Sequence, residues 1–152
     1  MSRYSVAGRS ADTAATANHV AAQLWNPSAI KALEVVEILV VQVGATVSNH
    51  SLQRSTARGT AGSTVTPDID NDYSRALAPP SGVLLDLAAF SVQPTLAGPD
   101  AFRANAPAAA GVGFGWSFYS KPYEVPPGTG VCILTPVAVI LQDSDFTFVF
   151  DD

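Results

Sequence analysis

Alternation of apolar and polar positions is the dominant pattern of this chain, and it predicts strands. Phe146, Phe148 and Phe150 alternate with Asp145, Thr147, Val149 and Asp151, which puts three phenyl rings on one face of a strand. Lys31 to Val43 is apolar on both faces, with Leu33, Val35, Leu39, Val41 and Val43 on one and Val36, Ile38 and Val40 on the other. Its β-branched residues are stiff at χ1 and suit a pleated surface. Apolar groups on both sides predict a central strand, covered by a second sheet on one side and by loops or a neighbouring subunit on the other. His19 to Asn26 divides in the same way, Val20, Ala22 and Leu24 against Ala21, Gln23 and Trp25, ahead of a turn at Asn26-Pro27-Ser28. Ser48 to Thr56 reads as a polar returning strand with Leu52 facing inward. Phe114, Trp116 and Phe118 alternate with Gly113, Gly115 and Ser117, and the bare face implies that another backbone approaches closely there. Pro126-Pro127-Gly128-Thr129-Gly130 is a tight turn into a strand from Val131 to Thr135, and Val137 to Leu141 is a further apolar run.

The other segments are less periodic. Val83 to Phe90 is continuously apolar and fits a strand or one helical turn. Asp100 to Ala110 is Ala-rich and admits a short helix stopped by Pro107. Within residues 1–18, Tyr4 and Val6 allow a short strand, and the rest reads as an N-terminal arm. Residues 57–82 have no period and form a long aperiodic loop, the kind of insertion that in a small domain is usually functional or wrapped on a partner. About eight short strands separated by Gly and Pro turns predict an all-β fold, a β-sandwich of jelly-roll type occupying residues 19–152 as a single domain behind the arm.

Composition narrows the function. With 47% hydrophobic and 14% charged residues in 152, the chain can bury a substantial core and is not generally disordered. Eight Lys and Arg against thirteen Asp and Glu give a net charge of −5, which leaves no basic surface to displace counterions from phosphates and excludes direct nucleic-acid binding as an expectation. Cys132 is the one cysteine, so no disulfide closes within the chain; in Val131-Cys132-Ile133-Leu134 it reads as a small buried hydrophobe. Met1 to Gly8 lacks the apolar core of a signal peptide, and Leu33 to Val43 is interrupted by Glu34, Glu37 and Gln42, so no membrane association is expected. The chain reads as a soluble protein of a reducing compartment.

Motifs for chemistry are incomplete. His19 and His50 are the only histidines and share no metal-ligand spacing. Asp68, Asp70 and Asp72 open like a calcium loop, but Tyr73 stands where the turn glycine belongs and Pro79 where the bidentate Glu belongs, so an Asx-rich turn is the reading. Gly111-Val112-Gly113-Phe114-Gly115 has the glycines of a phosphate loop, yet aromatic alternation runs through it as in a strand. Gly115-Trp116-Ser117-Phe118-Tyr119 lacks the last glycine of a nucleophile elbow. Glu37 lies on an apolar face, with Arg54 on the next strand as its expected partner. No catalytic, cofactor-binding or metal-binding residue is therefore assigned, and no enzyme is expected. Trp25, Trp116, Tyr119 and Tyr123 are candidates for a carbohydrate platform, for interface anchors, or for core.

Three stretches together carry a family resemblance. They are Leu24-Trp25-Asn26-Pro27-Ser28 followed by Lys31 to Ile38, then Thr66-Pro67-Asp68 through Asn71-Asp72-Tyr73 to Ala78-Pro79-Pro80-Ser81-Gly82, and Pro127-Gly128-Thr129-Gly130 through Thr135-Pro136. In this order they resemble small virion proteins of tailed bacteriophages that decorate or cement the head. The resemblance implies a jelly-roll-like β domain, self-association as a dimer or trimer, and docking on the outer surface of the major capsid protein. It brings no catalytic residues. The expected function is thus a non-enzymatic capsid decoration protein, made in the host cytoplasm and seated on the outer capsid surface. The alternative is a carbohydrate-binding β-sandwich on the virion surface, with an unrecognised hydrolase as the third reading. Residues 1–18 and 57–82 are expected to make most contacts between subunits, so deletion of residues 2–18 should weaken attachment and leave the β-fold intact.

Overall fold

The computed structural model describes residues 2–10, 19–69, 79, 81–136 and 143–152, and among them every regular element is a strand. In chain order these are β1 (Arg3–Ser10), β2 (His19–Asn26), β3 (Leu33–Gln42), β4 (Ser48–Ala57), β5 (Ser63–Val65), β6 (Asp68–Ile69), β7 (Leu84–Leu87), β8 (Thr95–Ala106), β9 (Gly113–Ser117), β10 (Tyr123–Val125), β11 (Thr129–Thr135) and β12 (Ser144–Asp151). They form two antiparallel sheets packed face to face, a β-sandwich. The front sheet has the order β10-β3-β12-β1-β6, with β9 beside β10 along the same edge of β3; the back sheet runs β5-β7-β2-β11-β4-β8. Among the described residues no ladder joins two strands that are neighbours in sequence.

The core lies between the sheets. Phe146, Phe148 and Phe150 project from β12 and are fully buried, as their alternation predicts. Leu24, Leu52, Leu85, Val131 and Ile133 meet them from the back sheet. Two bulges decide which apolar residues take part. Val149 faces Glu37 while Phe150 faces Val35, so Val36 is an extra residue in β3 and the strand changes phase there. Leu33 and Val35 point inward before the bulge, Ile38 and Val40 after it. The two apolar faces read from the sequence are thus two half-strands sharing one core, and Leu39 and Val41 are left pointing outward. In β2 the extra residue is Ala21, which lets Ala21 and Ala22 join the main core and turns Val20 to the opposite side.

On that opposite side a second, smaller cluster of Val20, Ala88, Phe90, Cys132 and Leu134 forms under the segments that follow β4 and β7. Those segments are tied together by a bridge between Thr60 and Val92. They are anchored by charge as well. Arg58 donates to both oxygens of the fully buried Asp86 at 2.6 and 2.8 Å, and Thr64 adds a third bond at 2.6 Å.

Three expectations change. Arg3–Ser10, part of the expected arm, is a strand whose Tyr4 and Val6 are buried opposite Phe150 and Phe148. The Ala-rich segment expected to contain a helix is instead the C-terminal half of β8, because β4 offers it a ladder from Ser48 to Ala57 that helix propensity does not outweigh. Within the loop of residues 57–82, β5 pairs with β7 and β6 with β1, so its first part is built into both sheets. Residues 11–18, Asp70, Asp72 and the run from Val137 to Leu141 lie outside the described residues.

Candidate functional site

The two sheets differ in how their outer faces are treated. The back sheet carries the Val20–Leu134 cluster and the Arg58–Asp86 pair beneath covering segments. Among the described residues the outer face of the front sheet has no such cluster, although its centre is apolar. Leu39 and Val41 are 39% and 37% exposed there. The register sets Thr147 beside Leu39 on β12 and Ala7 beside Thr147 on β1, with Gly115 and Gly113 on the other flank of β3. All of these are small or apolar, so the centre is flat.

Gly115 is required for that flatness. A Cβ there would come within 2.7 Å of both the Ile38 carbonyl and Leu39 Cδ2. The bare face of the aromatic strand is therefore bare because β3 crowds it, as its sequence implies. The opposite face of the same strand turns Phe114 and Trp116 toward the core, edge to face at 5.5 Å.

Among the described residues the charges of this face lie around that centre, and two arginines there are matched by aspartates. Arg3 grips Asp151 with two bonds of 2.9 Å, and Arg9 grips Asp145 at 2.7 and 3.0 Å, each pair directly opposite across β1 and β12. The Arg9 guanidinium holds the Asp145 carboxyl below the usual carboxylate range by hydrogen bonding and by charge. On the β9 side Tyr119 donates its hydroxyl to Glu37 Oε2 at 3.0 Å, and this bond raises the phenol's pKa. An apolar centre within a polar, partly ion-paired rim is the anatomy of a protein–protein contact surface.

The residues singled out from the sequence fall elsewhere or apart. Glu37 is on this rim, half-buried, with Tyr119 as its partner; Arg54 sits in the back sheet and donates instead to the Glu124 carbonyl at 2.8 Å, so the expected Glu37–Arg54 pair does not form. Trp25 is half-buried on β2 beside Gly130, Trp116 packs on the main core, and Tyr119 is 62% exposed. Tyr123 lines a separate groove. The four aromatics do not make one platform. His50 is buried between Phe114 and Phe146, with Ser48 Oγ 2.9 Å from its Nε2, and burial alone pushes its pKa down to about 4. Burial pushes the Cys132 thiol up to about 12, which leaves it protonated and unreactive. Among the described residues no three His, Cys, Asp or Glu side chains converge to hold a metal ion. The flat outer face was missed because Leu39 and Val41 share an alternation with buried residues, and only the bulge at Val36 turns them outward. No protein-family model matches the chain, and no curated protein or solved structure does either.

Proposed function

We propose that this is a non-enzymatic virion structural protein that decorates and stabilises a phage capsid by bridging major capsid protein subunits. The observation that carries the reading is the apolar centre of the front sheet, exposed at Leu39 and Val41 among the described residues and rimmed by the Arg3–Asp151 and Arg9–Asp145 pairs. Leaving Leu39 and Val41 in water is unfavourable by roughly 25 cal/mol for each Å² of apolar surface, and a partner that covers them recovers it. With Arg3 and Arg9 already matched to aspartates, the centre suits a partner that is flat and apolar where it covers Leu39 and Val41. The sequence resemblance supplies the partner class. That no ladder among the described residues joins sequence neighbours, most successive strands changing sheet, favours the jelly-roll type that the resemblance implies. Many copies on one shell, each a dimer or trimer, would bind by avidity without a deep pocket.

Co-sedimentation with expanded phage capsids that lack the protein tests this. The full chain is expected to pellet with the shells, and Leu39→Lys or Val41→Lys, both at solvent-facing positions, to remain in the supernatant with an unchanged circular dichroism spectrum. If the full chain stays in the supernatant, or both lysine variants pellet equally well, the reading is wrong.

A further inference from the structure

At the open side of the sandwich the two sheets are bridged by aromatic side chains rather than by strands. Phe102 of β8, Phe118 just beyond β9 and Tyr123 of β10 form a chain of rings with centroid steps of 5.4 and 5.7 Å. Arg54 of β4 extends it, its guanidinium carbon 4.6 Å from the Tyr123 centroid. Between them opens a groove of about 320 Å³, to which Lys121, Pro122 and Glu124 also contribute. That volume is at the lower end of the range for small-molecule sites. It admits a small ligand and is too small for a folded partner.

The charges in the groove are unusual for this molecule. Arg3, Arg9, Lys31, Arg58 and Arg103 each form an ion pair with an aspartate. Among the described residues, Arg54 and Lys121 are the Lys and Arg side chains with no carboxylate within ion-pair distance, and both line this groove. Glu124 also lines the groove, through the carbonyl that Arg54 holds, and forms an ion pair with neither cation; Glu34 lies opposite it on β3. In a chain of net charge −5, the groove thus sets two cations and three aromatic rings against the single carboxylate residue of its lining. Arg54 is already oriented, since its Nη1 donates to the Glu124 carbonyl while its plane lies over Tyr123.

We propose that this groove binds a saccharide that carries a carboxylate. Phe102, 41% exposed, and Phe118 offer apolar faces that the C–H face of a sugar ring covers while its hydroxyls stay hydrated at the open side. Lys121 and the remaining N–H groups of Arg54 take the carboxylate in charge-assisted bonds. A neutral sugar would satisfy the rings and leave both cations unpaired. This site is on the opposite side of β9 from the flat face and does not depend on the capsid-binding reading.

Titration of the full chain with two probes tests the proposal: a β-1,4-linked glucuronic acid tetrasaccharide and the β-1,4-linked glucose tetrasaccharide, followed by amide chemical shifts. The acidic probe is expected to bind at least tenfold more tightly and to shift residues around Phe102 and Lys121. Lys121→Ala should lose about tenfold and Lys121→Arg little; Phe102→Ala, at an exposed position, should weaken binding similarly with its thermal melt unchanged. The proposal is overturned if the acidic probe does not bind, if the neutral probe binds as well, if neither alanine variant weakens binding, or if a Glu-rich peptide binds at the same place as tightly.

Discussion

His50 should make the stability of this protein fall steeply between pH 6.5 and pH 4. The ring lies between the sheets against Phe114 and Phe146, and Ser48, which itself receives a 2.6 Å bond from Gln42, has its hydroxyl 2.9 Å from Nε2. The Ser48 hydroxyl, with one O–H and two acceptor lone pairs, bonds Nε2 whichever ring nitrogen carries the proton, while Nδ1 is buried with no partner among the described residues. Protonating the ring would place a charge among phenyl rings and leave its Nδ1–H without an acceptor. Burial accordingly lowers the pKa from 6.5 to about 4. The unfolded chain takes up the proton near 6.5 and the folded chain only near 4, so the neutral ring's contribution is complete above 6.5 and is lost as pH falls through that window. A difference of about 2.5 units at 1.36 kcal/mol each amounts to about 3 kcal/mol, a large share of the 5–15 kcal/mol typical of a small domain. Urea unfolding at several pH values between 7.5 and 4 measures it, comparing the natural chain with His50→Gln and His50→Phe. Asp145, held low by Arg9, and Asp152, held low by Lys31 and Ser81 against the pull of burial, lose their contributions at still lower pH and do so equally in all three proteins. The natural chain should therefore lose about 3 kcal/mol more than either variant. Parallel curves would refute the assignment of a buried neutral imidazole.

Three further perturbations have defined outcomes. Gly115→Ala sets a methyl group 2.7 Å from the Ile38 carbonyl and should cost about 1–3 kcal/mol in a denaturant melt, since backbone cannot move aside as a side chain can. Asp86→Ala leaves Arg58 and Thr64 without their shared acceptor; because the Arg58 side chain is 39% exposed and can rehydrate, the expected loss is about 2–3 kcal/mol rather than that of a fully buried pair, again by denaturant melt. Deleting residues 2–10 removes the strand between β12 and β6 in the front sheet together with Tyr4 and Val6, so the truncated chain should lose its β-sheet circular dichroism rather than merely its attachment to a partner.

Much of the fold is legible wherever one face of a strand is buried and the other is not. The alternation of Phe146, Phe148 and Phe150 and the glycine face opposite Phe114 and Trp116 are period-two patterns that a helix does not satisfy, and the structure uses both as strands. What could not be read is which strand meets which. Every ladder among the described residues joins segments distant in sequence, and local composition carries no record of a partner forty or a hundred residues away. That is why the Ala-rich half of β8 reads as a short helix and most of Arg3–Ser10 as an arm: their strand geometry is imposed by β4 and β12. It is also why the two bulges escaped notice. A residue inserted at Val36 or Ala21 has no signature of its own, because either phase of an apolar strand looks equally good until the facing sheet selects one. The flat outer face, with Leu39 and Val41 turned to solvent, follows from that selection. The aromatic groove has the same origin, since Arg54 and Tyr123 belong to different sheets and meet only when the sandwich closes.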